Sequence, residues 1–155
     1  MTPLLGAKAT TEALLRASDV TLVHIAAHTE ETPLGNAIVM SDGLLDAGTL
    51  LDNHVATGAI VLLTCSSAPI TNRDELAAVA AAFVASGAHT VVASRWAIDD
   101  KVARSFAHYF YDNNGVADPV RAVAAAQRLL MTTKIDGAAV PVEQWSSFAV
   151  IGGLF

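Results

Sequence analysis

The chain has 155 residues, of which 53% are hydrophobic and 15% charged, with a formal net charge of −6 and a single cysteine. This profile excludes a disordered or fibrous chain, and the acidic balance opposes binding to a nucleic-acid phosphate backbone. One cysteine allows no internal disulfide, which favours a reducing, cytoplasmic setting.

A single domain over residues 1–155 is expected, long enough to bury roughly two-thirds of its unfolded surface. Met1–Gly6 lacks the basic start and long apolar stretch of a signal peptide. No apolar segment reaches the ~18 residues of a membrane span, so no membrane partner is expected.

In chain order, Ala13, Leu14 and Ala17 recur at helical spacing and predict a helix over 10–17, which Ser18-Asp19 breaks. A strand follows over 20–28, ending on His28. Residues 29–36 hold Pro33, Gly35 and two glutamates and are expected to form an exposed loop. Residues 37–45 read as a short hairpin with Asp42-Gly43 as its turn. Asp46 is placed to cap a helix over 47–55, and a strand over 59–64 leads to Cys65.

Residues 66–72 are expected to form a polar loop. An alanine-rich helix over about 73–86 follows, closed by Gly87, then a strand over 90–96. Asp99 is placed to cap a helix through Tyr111, which Asn113-Asn114-Gly115 stops. Asp118-Pro119 starts a helix to about Thr132, because aspartate caps and proline suits the first helical position. Residues 134–141 read as a loop and residues 145–151 as a last short strand. This alternation predicts an α/β fold, a mainly parallel sheet with helices on both faces.

Two apolar runs, Thr21–His28 and Ala59–Cys65, end on an imidazole and a thiol. At the carboxyl ends of parallel strands both would open onto the crevice where α/β proteins bind ligands. A free thiol is only a few per cent thiolate near neutrality, and a neighbouring imidazole can take its proton. The pair therefore reads as a nucleophilic dyad. It reads also as a buried small hydrophobe and a hydrogen-bonded histidine, since a lone cysteine is often just that.

Other chemistries lack their motifs. There is no glycine-rich phosphate loop and no nucleophile elbow. His24 and His28 stand ~13 Å apart along a strand, too far to share a metal ion. His54, His89 and His108 have no acidic or thiol partner at ligand spacing. No metal and no cofactor are expected.

The ordered series of His28, Cys65 and Ser94-Arg95-Trp96-Ala97-Ile98-Asp99-Asp100 after three successive long strands resembles the CHAT domain, the caspase-like cysteine-peptidase domain related to caspases, gingipains and separase. The likeness runs from Leu5–Thr10 through Val23–His28, Leu62–Ser67 and Ala85–Ser94 to Ala125–Leu130 and Trp145–Gly152. It implies a caspase-like three-layer sandwich that lacks the usual first strand and helix. That leaves an uncovered sheet edge for a partner segment or a second copy.

By this resemblance Cys65 is the nucleophile and His28 its general base and acid. The backbone amides of Cys65 and of Thr29 or Glu30 would form the oxyanion hole. Glycine usually follows the histidine in the family. Threonine stands here and resists the backbone angles glycine allows, so a weakened oxyanion hole is expected. Ser94, Arg95 and Trp96 would line the substrate cleft. With Asp99 used as a cap, Asp100 would face the pocket and favour cleavage after arginine or lysine, whereas Arg95 would favour acidic substrates.

The resemblance thus implies a cysteine endopeptidase acting on polypeptides. A catalytically quiet CHAT interaction module in a larger signalling or defence assembly is the alternative.

Overall fold

The computed structural model describes residues 3–17, 20–32, 35–55, 57–66 and 75–152, and the side chains of residues 65, 66 and 75–77 lie outside that description. A 3-10 turn at Gly6–Lys8 precedes α1 (Thr11–Leu15). Then come β1 (Val20–Thr32), β2 (Gly35–Met40), β3 (Gly43–Leu45), α2 (Ala47–Leu51), β4 (Thr57–Ser66) and α3 (Glu75–Ala85). The second half contains β5 (Thr90–Ser94), α4 (Asp100–Asp112), α5 (Pro119–Thr132), β6 (Lys134–Ile135), β7 (Ala138–Ala139), α6 (Val142–Trp145) and β8 (Phe148–Gly152).

Local chemistry sets the helix starts as the sequence suggests. Asp46 accepts a hydrogen bond from the Thr49 amide at 2.7 Å, Asp99 from Lys101 at 2.8 Å and Asp118 from Arg121 at 3.0 Å. Each carboxylate satisfies a first-turn amide that has no partner inside its helix. Gly115 lies within the α4–α5 turn, against the Phe110 ring, where a Cβ would come within 2.3 Å of a ring carbon. Only glycine fits that approach.

The main sheet has six strands in the order β3-β2-β1-β4-β5-β8. Parallel pairing is confined to β1, β4 and β5, and β2, β3 and β8 join antiparallel. The direction of β8 follows from connectivity. α4 and α5 succeed one another with no strand between them, so the chain returns to the carboxyl end of the parallel strands before β8 begins. Among the described residues the sheet edges are β3 and β8. β2 flanks β1 only over Thr29–Thr32, and along Val20–His28 the ladder partner of β1 among the described residues is β4 alone.

Two apolar layers cover the sheet. On one face Ile25, Ile60, Leu62 and Val91 pack with Leu14 of α1, Leu50 of α2 and Phe83 of α3. On the other, Val61, Leu63 and Val92 pack with Phe106 and Phe110 of α4, Val123 and Leu130 of α5, and Phe148. The strict alternation along β4 is what a strand buried on both sides requires. The result is the three-layer α/β architecture the sequence implied.

Three expectations are corrected. Residues 29–32 and 35–36 are not an exposed loop: β1 continues to Thr32 and pairs with β2 from Thr29↔Ile38 to Thr32↔Gly35, with Thr29 and Asn36 buried, while Pro33 and Leu34 lie outside the described residues. Glu30 and Glu31 both stay exposed while their backbone enters the ladder. Residues 134–141 are not simply a loop either, since β6 and β7 form a hairpin. Its turn, Asp136-Gly137, has φ of 52° and 84°, the paired left-handed conformation that two-residue hairpin turns favour. Trp145 closes α6 instead of opening the last strand. The loop predicted over 66–72 lies outside the described residues except for Ser66, which ends β4.

Candidate active site

Both candidate residues lie on central parallel strands, and the sheet register makes them neighbours. His28 of β1 is paired with Cys65 of β4 in an unbroken run from Leu22↔Ala59 to Thr29↔Ser66. Register partners on adjacent strands lie about 4.8 Å apart across the ladder and occupy the same face. That face also carries α4 and α5. Along β1 the His24 side chain meets Tyr111 of α4, while Ala26, His28 and Glu30 beyond it are exposed. His28 therefore stands at the carboxyl end of the sheet with its ring open to solvent. The sulfur-to-nitrogen separation of the dyad lies outside the described residues.

Thr29 adopts ordinary strand geometry: among the described residues only Asn114 and Asp136 have positive φ outside glycine. The strain expected from replacing glycine here does not arise, because an extended backbone suits a β-branched residue. Thr29 has ladder partners on both flanks, Ser66 and Ile38, whereas Glu30 has one, Ala37, and lies past the last β1–β4 pair.

After β5, the segment predicted to line the cleft is held by α6. The Trp96 indole N–H donates to the Glu143 carbonyl at 2.7 Å, and the Asp99 amide donates to Gln144 Oε1 at 2.8 Å. The Arg95 guanidinium lies 5.2 Å from the Trp96 ring centroid, a cation–π distance. Ser94 is 2% exposed, so its side chain backs this segment and does not line a surface. Asp99 spends one carboxylate oxygen on its cap. Asp100 opens α4, and both acids are exposed.

Glu143 and Gln144 carry no signal in the sequence that links them to this wall, since they lie 47 and 45 residues from their partners. By its sequence context His24 suggests only a metal ligand. The Tyr111 hydroxyl that it meets lies 87 residues away.

No described group of three His, Cys, Asp or Glu could hold a metal ion. His108, expected to lack an acidic partner, does have one: Asp112, one helical turn on, at 3.4 Å, with both side chains exposed. A pair alone supplies too few ligands. A shallow cavity of about 460 Å³ carrying His54, His89, Thr57 and Val20 opens at the amino ends of β1, β4 and β5. It is at the opposite end of the sheet from positions 28 and 65, so the strand-end pair, not the cavity, is the candidate for covalent chemistry. Among the described residues no helix is long and apolar enough to cross a membrane.

A six-stranded α/β sandwich with histidine and cysteine in register at its carboxyl end defines a caspase-like domain. The sequence matches the CHAT domain over residues 1–153, and the chain belongs to that family, a peptidase-related one. No curated protein matches the sequence.

Proposed function

We propose that the protein is a cysteine endopeptidase in which Cys65 and His28 act as a dyad. The observation that carries this reading is the Cα register of His28 with Cys65 at the end of the parallel ladder. The Cys65 thiolate attacks the scissile carbonyl carbon and forms a C–S bond, and the C–N bond breaks as His28 gives its proton to the leaving amine. His28 then takes a proton from water, whose oxygen attacks the thioester and releases the acid and the free thiol. For the oxyanion, the Cys65 amide is joined by an amide after His28. Glu30 suits this better than Thr29, whose amide is claimed by a ladder on either flank.

A peptidyl probe bearing a thiol-reactive group is expected to label Cys65, and His28→Ala to slow that labelling strongly while the protein stays folded. Labelling unchanged by His28→Ala would overturn the dyad. A folded protein inert to every probe would support the interaction module.

Substrate choice belongs to the same proposal. Asp100 at the cleft wall favours arginine or lysine before the scissile bond. Because this carboxylate is exposed, its contact with a substrate cation is worth roughly 0.2–1 kcal/mol. Asp100→Ala should therefore lower the preference by about fivefold or less. Fluorogenic peptides that differ only at that residue would measure it. A preference for aspartate would assign specificity to Arg95 instead.

A further inference from the structure

His24 lies on β1 beneath α4, with its Nδ1 2.9 Å from the Tyr111 hydroxyl and the two ring centroids 5.7 Å apart. Its other nitrogen, Nε2, is buried and has no partner among the described residues. An imidazolium must donate from both nitrogens, whereas a neutral ring donates from one and can leave the other as a bare lone pair. The neutral ring fits this site, and the charged ring would bury an unpaired N–H together with its charge.

Among the described residues the surroundings offer no compensation. β4 contributes Val61, in register with His24 and fully buried, and Leu22 of β1 packs into the same cluster. From α4, Tyr111 faces the ring, its hydroxyl pushed up to about 12 by burial and so neutral near physiological pH. The other titratable groups near this end of α4, His108 and Asp112, pair with each other at exposed positions. Along β1 the next titratable groups on this face are His28 and Glu30, ~13 and ~20 Å away by strand rise. Burial accordingly holds His24 below its ordinary value of 6.5.

We infer that His24 is an acid-sensitive latch: neutral, it holds Tyr111 and the last turn of α4 against β1, and protonated, it releases them. The opened, hydrated form takes up a proton at a higher pH than the closed form. The closed form is therefore fully favoured above about pH 6.5 and loses ground as pH falls below it. Release is confined to the helix end, because Phe110, one residue earlier, stays in the core. The latch stands independently of the peptidase reading, but it lies on the strand and face that carry His28.

The test follows the imidazole resonances of the full chain from about pH 8 to 5, together with amide-exchange protection at residues 108–112, corrected for intrinsic rate. His24 should titrate below its ordinary value of 6.5. Protection of that turn should fall about tenfold over the same interval, in line with local opening. His24→Gln, which can still bond the Tyr111 hydroxyl and does not titrate, should make protection independent of pH. Titration of His24 at or above 6.5, or protection unchanged while it titrates, would overturn the latch. So would a fall that persists in His24→Gln. If His24→Gln does not fold, the wild-type titration decides alone.

Discussion

Replacing Cys65 by alanine is expected to abolish peptide turnover, and His28→Ala to lower kcat/KM by roughly 10²–10⁴-fold. The effects differ in kind. Without the sulfur no acyl-enzyme forms, whereas without the imidazole a thiolate still forms slowly but the leaving amine goes unprotonated. The double variant should be no slower than Cys65→Ala alone, because residues that act as a unit are not additive. His28 is exposed at the sheet end, so its removal should leave the fold intact, and circular dichroism would confirm that the loss is chemical. Turnover surviving in Cys65→Ala would end the assignment.

Phe106→Ala should destabilise the fold by about 3–5 kcal/mol. The ring is fully buried. It stacks on Phe148 of β8 at a centroid distance of 3.6 Å and an angle of 6°, and on Phe110 at 5.9 Å. It thus joins α4 to the strand that closes the sheet, and a cavity there has rigid neighbours on both sides that cannot collapse into it. At this chain length the loss corresponds to a fall in Tm of roughly 6–20 °C. Urea denaturation would measure it, and a loss under about 1 kcal/mol would mean that the layer is plastic there.

The parts of this molecule that could be read from the sequence are those whose physics acts within a few residues. Asp46, Asp99 and Asp118 cap helices because each side chain reaches an amide two or three positions on. A short polar turn joins β2 and β3, at Ser41-Asp42 and so one residue before the expected Asp42-Gly43, because Gly43 already pairs with Met40. The continuous apolar run through β4 announces a strand buried on both faces, since both of its neighbouring layers are apolar. The thiol and the imidazole at the ends of two such runs were legible for the same reason, as candidates.

What made them neighbours is the parallel register of β1 and β4, set by hydrogen bonds and side-chain packing between strands far apart in the chain. The same holds wherever the sequence reading fell short. The segment at 29–36 looks like a loop by composition, yet residues 29–32 pair as strand with residues 35–38 and Thr29 is buried. β8 runs antiparallel because two helices in succession return the chain to the carboxyl end of the parallel strands, where β5 finished. The Trp96 wall depends on α6, and the His24–Tyr111 pair joins residues 87 positions apart. Propensity and capping are local and are written residue by residue, whereas register, strand direction and polar pairs across the core arise only when distant segments share one buried volume.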